Sequence, residues 1–289
     1  MNSFFSALLE HSFLQMAVAA ALLASIGCGV IGTYVVVKRI TFIAGGIAHT
    51  VLGGIGAALY LGFNPLHGAL LAAVLAALLI GWVRLHWRTQ EDALIGALWA
   101  IGMAIGVLFI AKTPGYQADL MGYLFGNILL VPAESLWFMA SLDAVLLAVL
   151  VAYHQQFLAV VFDEEYSRLQ GVPVTFFYLL LLVLVAITVV LLIQIVGLIL
   201  VLALLTLPAA VASQYAHSIG RIMIIATTLG MILSVSGLAL SYQPDLPPGP
   251  VIILLAGGAY LLSTLFTRAT QRRDAIRATQ TTSLAPNDG

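Results

Sequence analysis

The residue that could best bind an ion is His49, which lies in the glycine-rich apolar stretch 43–56. Neutral imidazole is a common ligand for Zn²⁺, Mn²⁺ or Fe²⁺. A spacing of four residues places Gly45, His49 and Gly53 on one face of a helix. Because small residues let helices approach closely in a membrane, we expect His49 to face protein rather than lipid. It could be a metal ligand or a packing histidine hydrogen-bonded to a carbonyl group.

Three aspartates are further candidates for a cation path. Asp143 lies near the middle of an apolar segment, where a carboxylate costs about 3 kcal/mol. It should therefore face a cavity, be protonated or form an interhelical hydrogen bond, and the hydrogen bond is the simplest interpretation. Asp119 and Asp245 lie in polar stretches between apolar segments and could pass a cation inward, although exposed carboxylates are often only solvated.

Sequence patterns typical of soluble enzymes are absent. The chain contains no GxxxxGK[ST], HExxH or GxSxG, so it has no P-loop for ATP and no recognisable hydrolase site. Cys28 is the single cysteine, which excludes an intrachain disulfide. The pattern Gly102-x-x-x-Gly106 is instead typical of contacts between helices in membranes.

The composition indicates an integral membrane protein. Of the 289 residues, 62% are hydrophobic and only 8% are charged, whereas about 25% of the residues in a soluble domain are charged. The chain therefore cannot cover its surface with polar groups in water, and the lipid bilayer is the expected surrounding. The net charge of −1 argues against a nucleic acid partner.

Long apolar segments predict an all-α, polytopic membrane protein, because a helix needs roughly 20 apolar residues to cross a bilayer. We expect residues 1–267 to form a transmembrane domain and residues 268–289 a polar tail. The half-polar stretch 112–132 could hold a short re-entrant helix, so the expected number of spans is eight or nine. Gln194 and Gly197 mark the expected reversal within the longest apolar run. The nine predicted spans are 14–36, 44–62, 66–83, 93–111, 133–153, 174–193, 196–216, 222–241 and 250–267.

Basic residues predict the orientation of the chain. If the loop with Lys38 and Arg39 is cytoplasmic, only Lys112 falls on the outer side. The N-terminus is then outside and the C-terminus is in the cytoplasm. The cytoplasmic side carries ten of the 11 basic residues, namely Lys38, Arg39, Arg84, Arg88, Arg168, Arg221, Arg268, Arg272, Arg273 and Arg277.

Two cytoplasmic segments are unlike simple connections. Residues 163–171 read DEEYSRLQG, and this acidic stretch predicts a short helix that begins at Asp163 and ends at Gly171. Such a helix beneath the membrane could dock a soluble partner. The second segment is a predicted loop at 208–218. Solvated loops are the alternative for both segments.

In their order along the chain, these pieces resemble the permease subunit of bacterial zinc/manganese-type ABC importers. The resemblance extends from about residue 27 to about residue 266. Each motif is weak by itself, but the ordered set is specific. The motifs are GTYVVVKR at 32–39, AHTVLG at 48–53, DALIG at 92–96, DLMGYLFG at 119–126, the segment 163–171, VGLILV at 196–201, LPAA at 207–210 and DLPPGP at 245–250.

The resemblance implies a metal-importer permease fold in the bacterial plasma (inner) membrane. It implies two permease copies, identical or paired, around one translocation path that works by alternating access. A separate cytoplasmic ATPase and an extracytoplasmic metal-binding protein are the implied partners. The chain itself would be no enzyme and would bind no cofactor, and its cargo would be a divalent metal ion such as zinc, manganese or iron.

The resemblance also assigns roles to residues. His49 matches the family's histidine in the second span. The ATPase would meet residues 163–171, including Asp163, Glu164, Glu165 and Arg168, and a second loop at 213–221. The family usually has an aspartate at the position of Gly45, and some relatives have one at Asn127. The missing aspartate adds weight to one alternative, a permease for a metal chelate of the siderophore or cobalamin class. A stand-alone secondary transporter or channel is a separate alternative.

Overall fold

A computed structural model of the chain describes residues 2–87, 91–113, 122, 126 and 128–283. Nine helices in this part of the chain are long and apolar enough to cross a membrane. Three others, α1 (Asn2–Glu10), α7 (His154–Phe162) and α8 (Glu164–Leu169), are too short to do so. The nine are α2 (Ser12–Val37), α3 (Thr41–Tyr60), α4 (Pro65–His86), α5 (Glu91–Lys112), α6 (Ala133–Ala152), α9 (Val174–Val196), α10 (Leu198–Tyr215), α11 (Ile219–Tyr242) and α12 (Pro248–Ser283).

The long helices confirm the predicted all-α membrane fold, with nine spans in the described residues. The reversal within the longest apolar run takes place at one residue, Gly197, which lies between α9 and α10. Its φ is +83°, a backbone conformation that glycine adopts without the steric cost of a Cβ. The predicted re-entrant helix in 112–132 falls mostly outside the described residues, which include a 3₁₀ turn at Ile128–Leu130.

The predicted loop at 208–218 is mostly helical. Helix α10 runs through Pro208 to Tyr215, and α11 begins at Ile219, which leaves a connection of three residues. In water, a proline usually interrupts the helix that contains it. In an apolar surrounding, however, the backbone polar groups need hydrogen-bond partners within the helix. The helix therefore continues past the buried Pro208. Helix α12 likewise continues to Ser283, beyond the predicted start of the polar tail at residue 268.

Helix α2 lies at the centre of the bundle and packs against α6, α10 and α11. Two of its glycines make this packing close. A Cβ at Gly32 would overlap the carbonyl oxygen of Leu205 in α10. A Cβ at Gly29 would lie 2.7 Å from the backbone nitrogen of Thr227 in α11. Backbone atoms thus meet directly at both places, and the three helices cannot move apart or slide without breaking these contacts.

The two ends of the bundle differ in charge. At one end, called the basic end below, Lys38 lies beside Glu164, and Arg84 and Arg168 line a common cavity. At the opposite end, Gly126 and Asp245 line another crevice. The chain reversals fixed by the helices place the three basic residues, Lys38, Arg84 and Arg168, on one side of the bundle, as the charge pattern predicts.

Candidate functional site

Helices α3 and α5 are in backbone contact through glycines of both helices. A Cβ at Gly53 would lie 2.8 Å from the carbonyl oxygen of Gly102. A Cβ at Gly106 would lie 2.5 Å from the carbonyl oxygen of Leu52. Three of the four glycines predicted to pack helices, Gly53, Gly102 and Gly106, therefore lie at this contact. The contact fixes how α5 presents its side chains to α3.

Thr50 adds a polar link to the same contact. Its hydroxyl donates to the carbonyl oxygen of Gly46 within α3, at 2.8 Å, and lies 3.3 Å from the carbonyl oxygen of Leu98 in α5. Hydrogen bonds between membrane helices contribute about 0.6 kcal/mol on average. This link therefore contributes little to stability, and its main effect is to fix the register between the two helices.

The side chain that α5 presents to His49 is Trp99. The imidazole and indole rings are stacked, with centroids 4.0 Å apart and planes 10° apart. His49 is half-buried, and its Nδ1 atom is buried without a hydrogen-bond partner among the described residues. The interpretation of His49 as a packing histidine bonded to a carbonyl group therefore finds no support at Nδ1. A neutral imidazole keeps one nitrogen lone pair, so the ring is still able to bind a cation.

An open groove of about 470 Å³ lies beside this pair, between α3, α5 and α10. Gly45 is one of its lining residues, one helical turn before His49. A Cβ at Gly45 would meet only the Cζ3 atom of Trp99, at 3.7 Å, which is ordinary van der Waals contact. Gly45 therefore differs from the three close-packed glycines, because it leaves room rather than allowing a backbone approach. The groove is lined by Thr41, Phe42, Gly45, Trp99, Leu202, Ala203, Thr206 and Leu207.

Within the described part of the chain, His49 belongs to no cluster of metal-binding side chains. The described residues contain no group of three or more His, Cys, Asp or Glu side chains that could hold a metal ion. A single imidazole is a weak site for Zn²⁺, which takes four ligands in structural sites and three protein ligands in catalytic ones. An ion at His49 would need further ligands from water or from a second copy of the chain.

Asp143 lies elsewhere in the bundle, between α6, α2 and α9. Its side chain is 7% exposed, and its Oδ2 atom has no hydrogen-bond partner in the described part of the chain. The carboxyl group occupies the space above Gly27, where a Cβ would lie 2.8 Å from Oδ1 and 3.7 Å from the Cγ2 atom of Thr188. The predicted interhelical hydrogen bond is thus not formed by Oδ2. The contacts of Asp143 and those of His49 involve different helices, so the structure does not join the two.

Asp245 lines the crevice at the opposite end from Lys38. This crevice has a volume of about 350 Å³, and Gly126, Val196 and Pro247 also line it. Asp245 is exposed and has a φ of +53°, a left-handed conformation that Asp adopts more readily than most residues. Asp119 and Asn127 fall outside the described residues.

The segment 163–171 forms the short helix α8 at the basic end. The Oδ1 atom of Asp163 accepts hydrogen bonds from the backbone nitrogens of Glu165 and Tyr166, at 3.0 and 2.9 Å, and so caps the helix. Gly171 follows the helix with a φ of +78°. The helix thus begins one residue after the predicted start at Asp163 and ends two residues before the predicted end at Gly171.

A cavity of about 480 Å³ separates α8 from the ends of α4 and α9. Arg84 of α4 donates a hydrogen bond of 2.9 Å to the hydroxyl of the buried Tyr178. Glu165 and Arg168 are exposed, so their charges are accessible to a soluble partner. The lining consists of Arg84, Leu85, Phe162, Asp163, Glu164, Glu165, Arg168 and Tyr178.

Two functional candidates were not indicated by the sequence. The first is Trp99, for which the only available signal was its position between Asp92 and Gly102 of the same span. The second is Lys38, whose Nζ atom lies 2.7 Å from Oε1 of Glu164. The charge pattern marked Lys38 as a basic residue of the loop after α2 and gave no indication of its partner.

Comparison with known proteins places the chain in one family. The model of the ABC 3 transport family matches residues 10–267. A probable metal transport system membrane protein from Chlamydia trachomatis is 44% identical, over 86% of this chain and 87% of that protein. The manganese transport system membrane protein MntC of Halalkalibacterium halodurans is 32% identical, over 91% and 90% of the two chains.

A solved structure has the same architecture. The structure of PsaBC from Streptococcus pneumoniae in complex with Fab superposes on this chain with a TM-score of 0.82. The match covers 91% of this chain and 94% of the other chain, at 31% sequence identity. Both the family match and this superposition extend over nearly the whole protein, and the chain therefore belongs to the ABC 3 transport family.

Proposed function

We propose that the chain is the permease subunit of an ATP-driven importer of divalent metal ions, with zinc, manganese or iron as cargo. The observation that carries this proposal is the family match over residues 10–267. Similarity to a manganese transport system membrane protein supports a metal cargo. ATP hydrolysis belongs to a separate subunit, since the sequence contains no P-loop.

The ion path, in this proposal, passes the groove beside His49. A half-buried imidazole with an unpartnered nitrogen is suited to transient binding, because a transported ion must be released again. Two permease copies that faced each other across this groove would bring two copies of His49 to one path. That arrangement would supply a second imidazole ligand, in addition to the one that the described residues of a single chain offer.

The three candidate aspartates differ in their positions relative to the proposed ion path. Asp245 lines the crevice at the end opposite Lys38. If that end is the outer mouth, as this proposal has it, Asp245 could meet an incoming cation or the extracytoplasmic metal-binding protein. Asp119 belongs to the same outer side by its position in the sequence. Asp143 is buried between α2, α6 and α9, and its part in a path is the weakest of the three.

The basic end is cytoplasmic in this proposal, in agreement with the positive-inside rule. The N-terminus is then outside, the C-terminus is inside, and the protein resides in the bacterial plasma membrane. The exposed charges of α8, among them Glu165 and Arg168, are available to the ATPase. Closure of the ATPase on ATP would move α8 and switch the path between its two openings.

The test is transport by the purified chain in liposomes, with and without its ATPase. We expect Zn²⁺, Mn²⁺ or Fe²⁺ to be taken up only when both the ATPase and ATP are present. Uptake without any ATPase would contradict the proposal and favour a secondary transporter. Uptake of a metal chelate but of no free ion would place the chain among the chelate permeases.

A further inference from the structure

The ammonium group of Lys38 joins three helices at the basic end. Lys38 is the first residue after α2. Its Nζ atom donates to the carbonyl oxygens of Val160 and Val161, at 2.6 and 3.4 Å, and lies 2.7 Å from Oε1 of Glu164. Val160 and Val161 belong to the last turn of α7, and Glu164 is the first residue of α8.

The chemistry of this junction suits a lysine. An ammonium group has three N–H donors, and Lys38 has three oxygen atoms within reach. The last carbonyl groups of a helix have no partner within that helix and attract a cation. The first turn of a helix favours a carboxylate. Lys38 thus satisfies the end of α7 and holds the beginning of α8, and its side chain is only 9% exposed in the ion pair.

A second contact fixes α7 to α2 without charges. The ring centroids of Tyr34 in α2 and Phe157 in α7 are 5.9 Å apart, and both side chains are fully buried. This apolar contact fixes α7 one turn away from Lys38. In contrast, α8 is mostly exposed, and its Glu164 connects it to α2 through Lys38.

Helix α2 also contacts α10, which lines the groove beside His49. Gly32 is in backbone contact with Leu205 of α10. Leu202 and Thr206, within one turn of Leu205, line the groove. A shift of α2 along or about its axis is therefore transmitted to α10 by backbone atoms, which do not yield as flexible side chains do.

We propose that Lys38 transmits the movement of α8 to α2, and through α2 to the groove. Lys38 is a positioning residue, since it acts through Glu164 and the end of α7 and touches neither cargo nor nucleotide. The proposal rests on the proposed function, in which the ATPase moves α8. It makes Lys38 necessary for coupling and unnecessary for binding of the ATPase.

The first experiment measures metal ions transported per ATP hydrolysed by the complete complex in liposomes. Lys38→Met removes all three polar contacts and keeps an unbranched side chain. Lys38→Arg keeps the charge. Arg39→Met is the matched control, because it removes the cation from the next residue, which is exposed.

We expect Lys38→Met to retain the ATPase and its hydrolysis and to lower the transport ratio about tenfold or more, the factor that corresponds to the loss of one charged hydrogen bond. Lys38→Arg should recover most of the ratio, and Arg39→Met should equal the wild type. An unchanged ratio in Lys38→Met would overturn the proposal. Loss of the ATPase from this variant would also overturn it, because Lys38 would then serve docking.

A second measurement needs no ATPase. Hydrogen exchange of the isolated permease reports the opening of α8, and we expect Lys38→Met to speed exchange of the amides of Glu164–Leu169 about ten- to a hundredfold. Equal exchange in Lys38→Met and in Arg39→Met would refute the link between Lys38 and α8. If the wild-type complex showed no ATP-driven transport, the proposed function would fail, and this measurement would still decide whether Lys38 holds α8.

Discussion

Substitution of Gly45 by aspartate tests whether the groove beside His49 is the ion path. A spacing of four residues would place the new carboxylate on the same helix face as the imidazole. The structure has room for it, because a Cβ at residue 45 meets only the Cζ3 atom of Trp99, at 3.7 Å. The substitution would thus place a carboxylate one helical turn before the imidazole, and its Cβ would not clash at the helix contact.

The expected change in ion binding follows from two opposing free-energy contributions. Burial of a carboxylate in the membrane costs about 3 kcal/mol. Attraction between unit charges 4 Å apart is worth about 4 kcal/mol at an effective dielectric constant of about 20, and a divalent ion doubles it. The attraction exceeds the cost when an ion passes. Since carboxylates suit Mn²⁺ better than a lone imidazole does, we expect the KM for Mn²⁺ to fall by about tenfold or more, within the range that ligand-shell changes produce.

The assay is the initial rate of Mn²⁺ and Zn²⁺ uptake by the complete complex in liposomes. The control is Gly46→Asp, since a Cβ at residue 46 would overlap the side chain of Ile95. This variant should lower expression or stability. Gly45→Asp should insert like the wild type and shift selectivity towards Mn²⁺. Normal insertion with unchanged selectivity, or failure to insert, would refute the placement of Gly45 on an aqueous ion path.

Three further predictions concern packing, binding and coupling. Gly53→Ala should lower the free energy of unfolding by about 1–3 kcal/mol, because its Cβ would lie 2.8 Å from the carbonyl oxygen of Gly102, whereas Gly45→Ala should raise it by about 0.5–1 kcal/mol, since alanine is favoured over glycine inside a helix and its Cβ meets only an ordinary contact; denaturation in detergent compares the two, and equal effects would count against the close contact. His49→Ala should lower metal uptake by the complex at unchanged melting temperature, and undiminished uptake would leave His49 a packing residue. Arg168→Ala, at an exposed position of α8, should uncouple ATP hydrolysis from uptake without affecting membrane insertion; normal coupling in this variant would argue against contact between α8 and the ATPase.

Much of the fold could be predicted from the sequence because each long apolar run is a sufficient signal for a membrane helix. The reversal at Gly197 and the short helix after Asp163 were also predictable, since a left-handed turn and a helix cap depend on neighbouring residues only. The loop predicted at 208–218 was wrong over most of its length and the overlapping predicted span 196–216 was right, because the effect of Pro208 on a helix depends on its surroundings. In water Pro208 would favour a break, whereas within the bundle the helix continues to Tyr215.

The candidate site was predictable only in part. The spacing of four residues predicts the same role for Gly45 and Gly53, yet a Cβ at Gly45 would only touch the Trp99 ring, whereas a Cβ at Gly53 would meet a backbone oxygen. The stack of His49 on Trp99 depends on the register between two helices, which local sequence patterns do not specify. The junction at Lys38 joins residues more than 120 positions apart, and no pattern within a single segment could indicate it.

The burial of Asp143 above Gly27 limits how this part of the bundle can evolve. The carboxyl group fills the volume that any side chain at residue 27 would need, because a Cβ there would lie 2.8 Å from its Oδ1 atom. Substitutions at positions 27 and 143 are therefore coupled, because a Cβ at residue 27 requires the carboxyl group of Asp143 to shift. In homologous chains, an alanine or serine at position 27 should accompany a residue smaller than aspartate at position 143. Correlated variation of these two positions in a sequence alignment would reveal the constraint.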